Sequence, residues 1–260
     1  MTSGNYVRLR QICLATLDIA GTEETFNHVL GLKVCHRSRL DAFGLENIMY
    51  AVNGVFLEIV APTKENTAVH RFLARHGGMG GYMAIFDCTE VSHHKALAAA
   101  AGIDPIYERY NDAADLLQLN PKQTGITMLE IDHHTGGDDM FGAYEWAGEG
   151  WQDYVDTTVS GNILGLGMTS PKAAARAALW AGILDRPVRV GEPGLIEVKL
   201  DYGRLTFREG AGSAPELFDV IEMTARDRRA MIARADKAGL PVSDTGFEIC
   251  GVHFRLQGAA

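Results

Sequence analysis

The 260-residue sequence is 47% apolar and 22% charged, with a formal charge of −9. That composition fits a globular chain with a sizeable core, spread over one large domain or two of ordinary size. The negative balance, with no Lys/Arg stripe to offset it, argues against a nucleic-acid partner, and no apolar run reaches the roughly 20 residues a membrane span needs.

The opening MTSGNYVRLRQ lacks the apolar core of a secretory signal, so a cytoplasmic location is expected. RQICLATLD then reads as a strand, followed by a helical stretch ending at Gly31 and a polar bend. The short runs NIMYAV and VFLEIV flank Asn53-Gly54, a hairpin signal because both central residues of a type I′ turn need positive φ. The order is β-α-β-β-β, and it recurs. GYMAIFDCT, a helix from about Thr89 to Ala101 stopped by Gly102, a polar stretch, then LLQLNP and ITMLEID repeat it. Gln11 lies 47 positions before Glu58, and Tyr82 lies 48 before Glu130. The copies are offset by 71 residues at the first strand and 72 at the last, which favours duplication.

After His134 the chain turns rich in Gly, acidic and aromatic residues without a clean period, and residues 135–160 read as a linker. NILGLGMT precedes Ser170-Pro171, taken as N-cap and first helical residue of AAARAALWAGIL, with IEVKLD and RLTFRE as later strands of a third module. LFDVIEM, a capping-box-like start over Thr224–Asp227, a helix ended by Gly239 and the hairpin FEIC-GVHFRL make a fourth. The expected domains are 1–134, with the candidate site, and 161–260. Cys13, Cys35, Cys88 and Cys250 form no CxxC pair and read as reduced, mostly buried thiols. The glycines of HGGMGGY do not open a helix, so they make no phosphate-cradling loop.

RQICLAT, LGLKV and FLEIVAPT make the first copy resemble a module of the vicinal-oxygen-chelate superfamily, and NPKQTGITMLEID is similar to a motif of its methylmalonyl-CoA epimerases. The resemblance covers residues 8–134 and, by module order alone, 160–258. It implies an α+β fold of four βαβββ modules, glyoxalase/bleomycin-resistance/extradiol-dioxygenase-like, paired into two open β-barrel domains. It also implies metal ligands on the first and last strands of each module, at Gln11, Glu58, Tyr82 and Glu130. Tyr82 stands where the family commonly has His, and Asn120 replaces the His of the epimerase motif. A neutral phenol is a poor divalent-metal ligand.

Physically, Glu58 and Glu130 each interrupt an apolar strand, where a carboxylate is costly to bury unless paired, bonded or metal-bound. Two acids and the Gln11 amide oxygen would suit one divalent ion of the Mg, Mn, Fe, Co or Ni class. His134, on the Glu130 side by alternation, is a candidate fourth ligand, though exposure beside the linker is the commoner fate of such a residue. Without a cation, the two acids would serve in proton transfer. Arg37, Arg109 and Lys122 are candidates for an anionic group of a substrate, with Tyr82 as a hydrogen-bond donor to it; isolated surface Arg is the bland alternative. His93-His94 read as a solvated helix face. In the C-terminal half the corresponding positions fall near Gly165, Phe207, Asp219 and Arg255, which form no metal set.

Three functions stand at this level. One is a glyoxalase-like isomerase, epimerase or lyase acting on a small carbonyl or thioester compound. A second is a small-molecule binding protein of the bleomycin-resistance kind, and a third is an iron-dependent oxygenase. A small-molecule partner is expected in each, and the resemblance leaves a homodimer open.

Overall fold

The computed structural model describes residues 5–191, 194–213 and 215–258. The first module comprises β1 (Val7–Thr16), α1 (Ile19–Thr25), β2 (Val34–Leu40), β3 (Leu45–Val52) and β4 (Val55–Pro62). α2 (Ala68–Arg75), absent from the sequence reading, leads to the second: β5 (Met79–Cys88), α3 (Val91–Ala100), β6 (Pro105–Tyr110), β7 (Ala114–Leu119), a one-turn α4 (Pro121–Thr124) and β8 (Met128–His134). The third is β9 (Ser160–Ser170), α5 (Ala173–Ile183), β10 (Val188–Val190), β11 (Leu195–Lys199) and β12 (Arg204–Glu209). The fourth is β13 (Leu217–Ala225), α6 (Arg228–Lys237), β14 (Val242–Ser243), β15 (Gly246–Ile249) and β16 (Val252–Gly258).

The α+β class and the fourfold βαβββ plan are therefore what the chain adopts. The strands order as β2-β3-β4-β1-β5-β8-β7-β6 and β10-β11-β12-β9-β13-β16-β15-β14. In every module the first strand runs parallel to the last. A parallel pair cannot be joined by a tight turn, so each module needs its helix as a crossover. The later strands pair as antiparallel hairpins. Asn53 and Gly54 take φ of 47° and 89°, and Cys250 and Gly251 take 53° and 68°, the positive-φ pairs that such two-residue turns require.

Helix ends follow local chemistry. Asp18 and Asp227 cap α1 and α6 by accepting the N–H of Gly21 and Ala230. α1 runs on into a wide π-helical turn, Phe26–Leu30, and stops at Gly31, where φ is +67° and a Cβ would meet Val159 at 2.8 Å. The Ser170-Pro171 cap is corrected: Ser170 ends β9, Lys172 precedes the helix, and the Ser170 hydroxyl accepts the Lys172 N–H at 2.9 Å. Among the described residues no helix is long and apolar enough to cross a membrane.

Contacts divide the chain into two compact units. One contains the chain up to Arg10, Met83–Glu145 and Gly165–Phe218; the other contains Gln11–Tyr82, Trp146–Leu164 and the chain from Asp219 on. In the first, α3 and α5 pack together, and the buried Trp180 ring meets Phe86 and Phe207 edge-on at 6.3 and 6.2 Å. In the second, Phe26 stacks on Tyr50 at 5.2 Å and meets Phe254 edge-on at 6.0 Å, while Phe254 stacks on Phe247 at 5.7 Å. Burial of such side chains contributes roughly 1.5–3 kcal/mol each.

One expectation fails on burial. His94 is not solvated: it is buried, and its Nδ1–H donates to the Ile183 carbonyl at 2.8 Å, while His93 meets Asp185 at 2.9 Å. The segment 135–160 is partly buried. It delivers Tyr144 and Trp151 into the protein as buried rings, because an irregular segment with enough aromatic surface can pay for its own ordering.

Candidate active site

Register decides which sequence candidates share a face. In the first module Gln11 pairs with Phe56 and Cys13 with Glu58. Gln11 and Glu58 lie on one side, as alternation requires. The Gln11 Nε2 donates to Glu58 Oε2 at 2.8 Å. The other oxygen, Oε1, accepts from Asn47 Nδ2 at 2.6 Å. Asn47 comes from β3, two positions off the residue directly opposite Glu58. Its own Oδ1 accepts the backbone N–H of Ser38 at 3.1 Å and the Ser38 hydroxyl at 2.6 Å. Glu58 is only 7% exposed, so two charge-assisted bonds offset the burial of its carboxylate.

In the second module Ile85 pairs with Glu130 and Met83 with Met128. The residue that corresponds to Gln11 is therefore Met83, and Tyr82 is one position out of register. A one-residue slip moves a side chain to the opposite face. Tyr82 lies half-buried with its ring edge-on to Phe72 at 5.1 Å. Glu130, 3% exposed, accepts from Gln118 Nε2 at 2.6 Å, and Gln118 lies directly opposite it on β7. Both modules thus hold a buried glutamate by a side-chain amide from the preceding strand.

His134 is buried on β8 but is not arranged as a ligand. Its Nδ1 accepts the Glu145 N–H at 3.1 Å, which leaves the proton on Nε2, 3.8 Å from Asp132. Burial pulls its pKa down to about 4. The Tyr144 ring lies 4.4 Å from the His134 ring, and the Arg10 guanidinium lies over its face at 4.8 Å. Burial first, then the charge of Asp132, raises the Tyr144 phenol well above its ordinary range. Arg8 pairs with Asp87 and also donates to the carbonyls of Gly137 and Asp138, and Arg10 donates to that of Met140. This buried charged network was missed by sequence reasoning. The signal was present in VRLRQICL, a strand that every other criterion buries and that carries two arginines.

The remaining candidates are peripheral. Arg37, 56% exposed, pairs with Glu23. Arg109 is half-buried in β6 opposite Leu116, and Lys122 is exposed on α4. In the other module with a charged centre, Arg255 pairs with Glu222 at 3.1 Å. Phe207 faces Trp180, and the residue on its other side, Thr206, donates to the Leu166 carbonyl. In the segment 146–154, Trp151 meets Phe56 edge-on at 4.9 Å; Phe56 is two residues from Glu58 and shares its face.

The residues do not fit a divalent cation. Gln11 and Asn47 present their nitrogens rather than their oxygens to Glu58, Met83 offers a soft thioether, and the Nδ1 lone pair of His134 is taken by the Glu145 N–H. Among the described residues no three His, Cys, Asp or Glu side chains are grouped to hold a metal.

No protein-family model matches the sequence, and no curated protein does. Among solved structures, a hypothetical protein from Staphylococcus aureus is similar over 97% of this chain and 100% of its own, with a TM-score of 0.69 and 11% identity. That likeness shows a shared fold. That fold is the α+β arrangement of βαβββ modules described above. The methylmalonyl-CoA epimerase of Streptomyces coelicolor is similar over 50% of this chain and 99% of its own at 23% identity, TM-score 0.46. That of Mycobacterium tuberculosis covers 52% and 93% at 20% identity, TM-score 0.46.

Proposed function

We propose that the protein is an isomerase, epimerase or lyase that moves a proton beside the carbonyl of a small carbonyl or acyl-thioester compound, with Glu58, or within its own unit Glu130, as the proton acceptor. The carrying observation is the setting of Glu58, whose oxygens are fixed by Gln11 and Asn47 in an otherwise apolar strand. A carboxylate has about four acceptor positions, so each fixed oxygen keeps a lone pair for a substrate proton. A held base of this kind contributes about 10²–10⁴-fold to a proton transfer. The same device recurs at Glu130 and Gln118.

The test is deuterium wash-in from heavy water at the carbon next to the carbonyl. The panel comprises α-hydroxy ketones, α-keto acids and acyl-CoA thioesters, the last prompted by the NPKQTGITMLEID resemblance. Glu58→Gln is expected to slow exchange by about 10²–10⁴-fold. Exchange that runs undiminished in both Glu58→Gln and Glu130→Gln removes this mechanism.

A second reading, a protein that binds a small molecule without turning it over, is favoured by the Trp151 ring lying against Phe56 on the Glu58 face. Thermal stabilisation by a panel compound without any wash-in would select it.

A further inference from the structure

We infer that side-chain amides occupy the place of a metal ion at both glutamates, so that this protein holds Glu58 and Glu130 without a resident divalent cation, with Asn47 and Gln118 as their positioning residues. The inference goes beyond the proton-transfer reading and does not depend on which substrate is used.

The orientation of the Asn47 amide is what decides the matter. A side-chain amide has an accepting and a donating end, and which is which follows from its partners. The Oδ1 of Asn47 takes two donors, the backbone N–H and the hydroxyl of Ser38. Turning the amide over would set its NH₂ against the Ser38 N–H, so the donating end must face Glu58 Oε1, 2.6 Å away. Gln11 likewise offers its nitrogen to Oε2. Two N–H dipoles thus point their positive ends at the carboxylate. A cation brought to the same oxygens would be repelled by those hydrogens and would find no lone pair on either nitrogen. Glu130 accepts from Gln118 Nε2 at 2.6 Å. The first-strand position of that module is Met83, whose thioether is a poor ligand for a hard cation. His134 is spent on the Glu145 N–H.

The test uses the whole chain, purified without chelator, with metal content measured by mass spectrometry. Its thermal midpoint is also followed in EDTA and in millimolar Mg²⁺, Mn²⁺, Fe²⁺, Co²⁺, Ni²⁺ and Zn²⁺. Substoichiometric metal and an unmoved midpoint are expected. One metal per chain, or a rise of about 5 °C or more with any of these ions, overturns the inference; a cation at a hundred times its Kd would produce such a rise. The variant Asn47→Asp keeps an acceptor for Ser38 but replaces the donor with a second carboxylate. It is expected to melt lower than wild type in EDTA and to recover by about 5 °C or more in Mn²⁺ or Co²⁺. A folded Asn47→Asp protein indifferent to every ion counts against the inference, and should that variant not fold, the wild-type measurements decide alone. Neither readout uses turnover. Metal in the wild type therefore defeats this inference and leaves the exchange test untouched, and undiminished exchange in the glutamate variants does the reverse.

Discussion

Replacing Asn47 with Ala removes one side chain and strands three partners. Glu58 Oε1 loses its 2.6 Å donor, and the Ser38 N–H and hydroxyl lose their acceptor. The first loss is the larger, because Glu58 is buried and a hydrogen bond to a charged group is worth about 1.5–3 kcal/mol. The Ser38 groups lie half-buried on β2, the outermost strand of its module, where water can replace part of what is lost. The whole substitution should therefore cost about 2–4 kcal/mol. With a urea slope of about 2–3 kcal/mol/M for a chain of this size, the unfolding midpoint should fall by about 1 M. The interaction with Glu58 is isolated by a double-mutant cycle of Asn47→Ala and Glu58→Leu, read from urea unfolding followed by circular dichroism. A coupling of about 1.5–3 kcal/mol is expected. If the two costs instead add to within about 0.5 kcal/mol, the amide is not what holds the carboxylate.

Other consequences are as direct. Between about pH 6.5 and 4 the unfolded chain protonates His134 and the fold does not, so stability should fall as pH drops through that window by up to about 3 kcal/mol. His134→Gln should flatten that slope, and an unchanged slope refutes the assignment. Gly165→Ala would push a Cβ to 2.3 Å from the Arg204 carbonyl, part of the β9–β12 pairing. A loss of about 3 kcal/mol or more is expected, and a neutral result in a melting experiment would be incompatible with that backbone approach. Trp151→Ala should cost about 3–5 kcal/mol, as for a core aromatic, whereas a spacer would tolerate it within about 0.5 kcal/mol.

The modular plan could be read from the sequence because local signals and repeat agreed. Asn53-Gly54, Gly102, Asp227 and Gly239 each sit where a turn or cap needs that chemistry, and the 47-residue spacing brought Gln11 to Glu58. Tyr82 was misplaced because a strand's period is two, so an error of a single position exchanges faces while leaving the repeat apparently intact. Asn47 and Gln118 were overlooked in LENIMYAV and ADLLQL. A lone amide inside an apolar strand points to a buried polar group that it satisfies, here Glu58 and Glu130. The settings of Arg10, Asp87, Asp132 and His134 depend on a segment, 136–145, that has no periodicity to read. Its position follows from backbone carbonyls meeting guanidinium groups, an arrangement that side-chain patterns do not encode.

Phe26, near the start of the chain, rests against Phe254, near its end, and β16 pairs with β13 in the same compact unit. A ribosome adding about 5–20 residues per second needs roughly ten seconds to most of a minute to make the intervening stretch. Throughout that time Phe26 lacks the Phe254 ring that it meets edge-on in the folded unit.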